Sequence, residues 1–392
     1  MTPAARIAAA IEILDQYLEG SPAEKALTNW ARRSRFAGSG DRAAIRDHVF
    51  SALRNLRSFG ALGGAHSGRG LMIGMLRARG QDPAVLFTGE GHAPAPLDAA
   101  EAGRPSDPLP ECVALDCPDW LEPALRSSLG DNFAGVLDAL RSRAPVFLRV
   151  NAKKAQREQA QTALACEGIV TRPHRLSDCA LEVIENERKI SKSELYMSGA
   201  VELQDAGSQH VADALPLTEG ARVLDYCAGG GGKTLALAAR GAARCYAHDA
   251  NFARMADLPA RAKRAGANVQ LLDGAGVSRF APYDLVLCDV PCSGSGAWRR
   301  SPEAKWAFSP EKLESLLQLQ AEILDNASVL VAPGGSLAYV TCSLLKAENQ
   351  ERIDDFQRRN LGWTLENSFS VTPLDGGDGF FFALLTRVQI KS

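Results

Sequence analysis

"ARVLDYCAGGGGKTLALAAR", Ala221 to Arg240, passes from an apolar run through four consecutive glycines into an alanine- and leucine-rich segment. That order predicts a buried strand closing near Asp225, a loop whose backbone can approach a ligand, and a helix whose N-terminus favours polar or anionic groups. The same rhythm continues downstream. "RCYAHD" (244–249), "NVQLLD" (268–273), "YDLVLCD" (283–289) and "SLAYVT" (336–341) read as further strands. Helical patterns lie over 251–266 and 310–331, and "FFFALLTRV" (380–388) reads as a closing strand. Apolar strands alternating with amphipathic helices indicate an α/β, doubly wound domain around a parallel sheet, with ligands bound beyond the carboxyl ends of the strands. Asp225, Asp249, Asp273, Asp289 and Cys342 all stand at such ends.

Three nucleotide-like ligands suit the glycine loop "DYCAGGGGKT" (225–234). A phosphate-cradling P-loop needs Gly-x-x-x-x-Gly-Lys-Thr, and counting back from Gly232 puts Cys227 where the first glycine belongs. A dinucleotide spacing is met only trivially within a run of four glycines. The third ligand is S-adenosyl-L-methionine, its methionine part along the loop and its ribose on an acid after the second strand. Asp249 stands 24 residues beyond Asp225, near the spacing of about 20 expected for such an acid, and Asp273 is then placed toward the adenine.

"DVPCSGSGAW" (289–298) and "LAYVTCSLLKAEN" (337–349) each set a cysteine in the loop that leaves an apolar strand. Cys245 and Cys288, inside strands, read as small buried hydrophobes. Cys292 and Cys342, at loop openings of neighbouring strands, are expected over one crevice, where thiolate chemistry is possible. A thiolate that adds to carbon 6 of a pyrimidine makes carbon 5 able to attack an electrophilic methyl group. Asp289 is placed to protonate N3 if burial keeps its carboxyl protonated. Spacing alone does not say which sulfur attacks.

"DYCAGGGGKT", "DVPCSGSGAWRRSPEAKW", "YVTCSLLKAENQERI" and "DGGDGFFFALL" together resemble the Sun/RsmB-type RNA (cytosine-5)-methyltransferases of the Nop2/Sun superfamily, over roughly residues 145–392. "PVFLRVN" (145–151) resembles the start of that family's small RNA-binding module. More weakly, "GSGDRAAIRDHVFSALRNLR" (38–57) resembles a NusB-like helical domain. The resemblance implies a Rossmann-like class I methyltransferase domain over 195–392, preceded by an α+β RNA-binding module over 144–194. An acidic linker with connecting helices over 86–143 and a reduced, all-α NusB-like domain over 1–85 come first. It implies S-adenosyl-L-methionine as cofactor, held by Cys227, Ala228, Gly229, Gly230, Gly231, Gly232 and Lys233 with Asp249, Arg254, Asp273 and Asp289. It also implies that Cys342 is the nucleophile and that Cys292 assists product release; in DNA cytosine methyltransferases the Pro-Cys cysteine attacks instead. Lys233, Arg299 and Arg300 are expected as RNA contacts. The chain departs from the family where Gly229-Gly230 replaces Ala-Pro. A lost proline loosens a loop by about 0.4–1 kcal/mol, which predicts weaker cofactor binding rather than a dead enzyme.

Bulk composition agrees with this reading. The chain has 392 residues, 46% hydrophobic and 23% charged, enough for two or three domains. Nine cysteines without framework spacing suit reduced thiols in the cytoplasm, and no zinc-finger spacing follows Cys112 and Cys117. No apolar run reaches membrane-span length, and the N-terminus lacks the pattern of a signal peptide. Residues 1–80 carry 12 Lys+Arg against 6 Asp+Glu, and residues 81–131 carry 2 against 10. A basic front beside an acidic stretch suits a polyanion-binding module and a solvated connector. The expectation is a cytoplasmic, metal-free monomer that methylates ribosomal RNA. The same chemistry on tRNA and a non-catalytic RNA-binding assembly factor stand as alternatives.

Overall fold

A computed structural model describes residues 1–103, 108–241 and 244–387. Positions 104–107 of the acidic stretch and Val388, read above as the end of the closing strand, lie outside the described residues. The chain divides into two compact units. Among the described residues, no helix is long and apolar enough to cross a membrane.

The first unit comprises Met1–Arg143 together with Trp298–Ala307. Helices Pro3–Leu18, Ala23–Arg33, Ser39–Arg54, Leu56–Gly63 and Gly68–Ala78 bury Ile13, Leu14, Trp30, Ile45, Val49, Leu53 and Leu71 around one core. The short helices Glu122–Leu129 and Phe133–Leu140 belong to this unit too, and they bury Leu125, Phe133, Val136 and Leu140. Residues 298–307 are captured from the far side of the Pro-Cys loop. Trp306 Nε1 donates to Leu53 O at 2.7 Å, Ala23 N to Glu303 Oε1 at 2.8 Å, and Arg54 Nε to Arg299 O at 2.6 Å. Lys305 is buried there; desolvation pushes its pKa down to about 8, with Asp116 and Cys117 opposing.

The second unit, Ala144–Ala297 with Phe308–Ser392, holds two sheets. The first contains β1 (Val146–Val150), β2 (Val170–Pro173), β3 (Ala180–Glu185) and β4 (Val201–Leu203). It is antiparallel throughout, in the order β2-β3-β1-β4, with helix Arg157–Cys166 packed on it through Ala160 and Leu164. Strand β4 lies beyond residue 194.

The second sheet contains β5 (Arg222–Asp225), β6 (Arg244–His248), β7 (Val269–Leu272), β8 (Tyr283–Asp289), β9 (Val331–Thr341), β10 (Trp363–Val371) and β11 (Phe380–Arg387), in the order β10-β11-β9-β8-β5-β6-β7. Strands β5 to β9 pair in parallel. The closing strand joins this parallel sheet at one edge, where β11 runs antiparallel to β9, and β10 antiparallel to β11. The reversal has a local cause. Only eight residues separate Val371 from Phe380, too few for the crossover that a parallel neighbour needs, so the chain returns as a hairpin.

Candidate active site

The sheet order places β8 between β5 and β9, so the glycine loop, Asp289 and Cys342 come from three adjacent strands. Beyond β5 the chain stays tied to its neighbours: Tyr226 N donates to Leu287 O and Ala228 N to His248 O, both at 2.8 Å. Gly231 then takes a left-handed conformation, φ +76°, and a Cβ there would lie 2.3 Å from Leu258 Cδ1. Only glycine turns the chain into helix Gly232–Ala239 at this point.

The Gly229-Gly230 departure is held by charged side chains. Gly229 sits at φ +50°, and its N–H donates to Asp249 Oδ2 at 2.9 Å. Arg254 pairs with the same carboxylate at 3.2 Å, and Asn251 N donates to its other oxygen at 2.9 Å. Arg261 Nη1 donates to Gly230 O. Behind the loop, Arg149 of β1 reaches Gly232 O at 3.4 Å, and Glu202 of β4 pairs with Arg264 at 2.8 Å and with Arg261 at 3.6 Å. The small sheet therefore braces the carbonyls of the glycine loop. Asp273 is exposed and caps helix Gly274–Phe280 through Gly276 N at 2.7 Å.

Asp225 is 2% exposed. Its Oδ2 accepts from Thr234 Oγ1 at 2.6 Å, whereas its Oδ1 has no partner. Burial pushes its pKa up to about 7; the charge of Asp289 adds to this, while Thr234 and Lys233 oppose it. Lys233 Nζ donates to Asp289 Oδ2 at 2.7 Å and lies 4.9 Å over the Phe380 ring. Desolvation pulls the lysine's pKa down, but Asp289, Cys342 and Asp225 push it further up, and the net shift is upward. Cys227 is half-buried, and desolvation followed by three nearby aspartates drives its thiol pKa upward, away from reactivity.

The two loop cysteines meet. Cys292 Sγ and Cys342 Sγ are 3.4 Å apart, within a sulfur hydrogen bond, and both residues are half-buried. The hydrogen bond to Cys342, then burial, then the charges of Cys342 and Glu348 push the Cys292 thiol pKa well up.

Three expectations need correction. Asp289 is not shut away from water: its side chain is 34% exposed and paired with Lys233 rather than buried. Lys233 is 6% exposed and committed to Asp289, which places it inside the site rather than at an RNA-facing rim. Arg299 is 4% exposed, so its guanidinium is not offered to a phosphate; Arg300 is exposed.

Reading by motif also passed over residues the geometry brings in. Glu348, Ser293, Ser343 and Gln320 lie under the cysteines, and Arg149, Glu202 and Arg261 lie behind the glycine loop. One local signal existed for the first group, because a serine follows each cysteine.

The residues present suit S-adenosyl-L-methionine. Asp225 Oδ1 is a buried acceptor without a donor, two glycines adopt left-handed turns, and the Asp249 carboxylate is shared with an Arg254 that is more than half exposed.

Comparison with known proteins gives a consistent picture. A family model described as "16S rRNA methyltransferase RsmB/F" matches residues 212–386, and a "Methyltr_RsmF/B-like, ferredoxin-like domain" matches residues 117–191. Ribosomal RNA small subunit methyltransferase B of Vibrio cholerae serotype O1 is 32% identical over 285 residues, 69% of this chain and 65% of that protein. The protein of the same name from Xylella fastidiosa strain 9a5c is 31% identical over 294 residues, 69% of this chain and 68% of its own. The chain thus spans about two thirds of the length of these relatives. Among solved structures, "Crystal Structure of PH0851" aligns with a TM-score of 0.74 at 23% identity, over 98% of this chain and 99% of that one, a likeness of fold. On these matches the chain belongs to the 16S rRNA methyltransferase RsmB/F family of S-adenosyl-L-methionine-dependent enzymes.

Proposed function

We propose that this chain methylates carbon 5 of a cytosine in RNA, with small-subunit ribosomal RNA in the cytoplasm as its substrate, through a covalent adduct at Cys342. The observation that carries the reading is the pair of sulfurs 3.4 Å apart at the ends of adjacent parallel strands, beside the Lys233–Asp289 ion pair.

The chemistry asks for a thiolate at carbon 6, a methyl donor above carbon 5, and a means of releasing the adduct. Bound S-adenosyl-L-methionine supplies the electrophilic methyl group. In this reading Asp225, the glycine loop 227–232 and Asp249, whose carboxylate pairs with the exposed Arg254, would hold it. Lys233 is a buried cation in electrostatic reach of Cys342, placed to balance negative charge as that sulfur attacks and departs. Asp289, paired with Lys233, accepts a hydrogen bond from the exocyclic amino group, the contact by which a carboxylate reads cytosine. Cys292, its thiol pushed up, stays protonated and donates to the Cys342 sulfur as that sulfur departs. The target base leaves its stack to reach the sulfurs.

Trapping on RNA carrying 5-fluorocytosine tests this. The wild type is expected to form a denaturation-resistant complex, Cys342→Ala to lose it, and Cys292→Ala to accumulate it even on unmodified RNA. Adducts with Cys342→Ala but none with Cys292→Ala would reverse the two roles. Methyl transfer confined to tRNA would overturn the ribosomal assignment.

A further inference from the structure

Beneath the two sulfurs lies a carboxylate to which the reaction as described above gives no part. Glu348 is 0% exposed. Ser293, which follows Cys292, and Ser343, which follows Cys342, both donate their hydroxyls to Glu348 Oε2 at 2.5 Å. Ser293 N donates to Oε1 at 2.8 Å, and Gln320 Nε2 donates to Oε1 at 3.1 Å. Four donors on two oxygens are the full complement of an ionised carboxylate.

The rest of the network draws the same two loops together. Gln320 Nε2 also donates to Pro291 O at 3.0 Å, and Asn349 Nδ2 donates to Ser343 O at 2.9 Å. Leu344 N donates to Ser295 Oγ at 2.8 Å, and Tyr339 OH donates to Glu348 O at 2.7 Å. Each loop, 291–295 and 341–344, is thus tied to one acidic side chain, and the residue next to each cysteine is the point of attachment.

We propose that Glu348 is a positioning residue that sets the two sulfurs face to face and, as a buried negative charge on the Cys292 side, keeps the proton on Cys292 so that Cys342 is the attacking sulfur. The inference deepens the reading of Cys342 as nucleophile and rests on it. It supplies a physical reason for a choice that motif spacing leaves open.

The surroundings of the two sulfurs are unlike. Glu348, bonded to the N–H of Ser293 next to Cys292, and Tyr339 lie in electrostatic reach of Cys292, and both Cys292 and Tyr339 titrate upward, Tyr339 through burial first and then through Cys292 and Glu348. Arg352 lies near Tyr339 and acts the other way on it. On the Cys342 side stands the Lys233 ammonium, with Asp289 and Asp225 behind it. A nearby cation favours a thiolate and a nearby anion disfavours one. In the release step, water takes the carbon-5 proton and that bond's electron pair closes the ring double bond. The carbon 6–sulfur pair leaves onto Cys342, where the Cys292 S–H is already in hydrogen-bond reach.

The test is the alkylation rate of each cysteine by iodoacetamide, read by peptide mass spectrometry from pH 6.5 to 9.5 on the full chain without RNA. In the wild type Cys342 is expected to react about tenfold faster than Cys292 at neutral pH. In Glu348→Gln the ratio is expected to fall to within about threefold, through a gain at Cys292, with Glu348→Asp keeping the wild-type preference. Cys245 and Cys288, buried in β6 and β8, report on folding; a variant that exposes them is set aside and the wild-type ratio decides. Equal wild-type rates, or a folded Glu348→Gln with an unchanged ratio, overturn the inference. A wild type that shows the asymmetry yet forms no adduct with 5-fluorocytosine RNA would instead defeat the proposed reaction.

Discussion

Two buried carboxylates stand at the same edge of the large sheet, and the fold treats them differently. Glu348 has four donors from its own chain. Asp225 has Thr234 on one oxygen and nothing on the other, and its pKa is pushed up to about 7 by burial. A buried carboxylate with its full set of donors is part of the scaffold, whereas one left a donor short is a place where binding can repay desolvation. The thiol side of the site is therefore built before substrate arrives. On the proposed reading, the cofactor side is finished by its ligand.

The largest effect expected from breaking this contrast is at Glu348. Glu348→Ala strips the acceptor from two buried serine hydroxyls, a backbone N–H and Gln320, and is expected to lower stability by about 3–5 kcal/mol in urea unfolding. A loss below about 1 kcal/mol would mean that water or rearrangement replaces the carboxylate and that it is no scaffold.

Asp225 is expected to respond with the opposite sign. Its folded pKa lies above its unfolded one, so between the unfolded value of 3.8 and about 7 the folded state binds more protons. Its contribution to stability therefore declines as pH rises through that window and is least favourable above it. Asp225→Asn, which can still accept from Thr234, is expected to match the wild type in melting temperature near pH 4. By pH 8 it should be more stable by on the order of 4 kcal/mol. The same variant should bind S-adenosylhomocysteine more weakly. Thermal melts across pH, with calorimetric titration of that ligand, check both parts; a melting difference independent of pH would remove the distinction between the two acids.

The smallest effect sharpens the picture of the loop. Restoring the family's alanine at position 229 places an L-residue at φ +50°, with its Cβ 3.2 Å from Arg254 Nη2. Gly229→Ala is expected to destabilise by about 1 kcal/mol, read as a small drop in melting temperature. A stabilising alanine would show that the loop prefers the conformation of its relatives.

Much of the site's outline was readable in advance from residue order. Strand ends at Asp225, Asp289 and Thr341 follow from apolar runs bounded by glycine, proline and acidic residues, and parallel pairing then forces those ends onto one edge. The antiparallel return of β10 and β11 was less legible, because Trp363–Val371 has an exposed, polar-rich pattern that no buried-strand criterion selects. The burial of Arg299 was not legible at all. It depends on residues 298–307 packing into a unit assembled mainly from the first 143 residues.

What the order of residues determined by itself was the set of strands, the glycine turn and the presence of two loop thiols, because backbone periodicity and glycine's conformational range are local properties. Tertiary structure alone decided that the sulfurs lie 3.4 Å apart, that Lys233 turns inward to Asp289, and that Glu348 underpins both loops. These follow from which side chains packing excludes from water, since a buried charge must find its partners wherever the fold brings them.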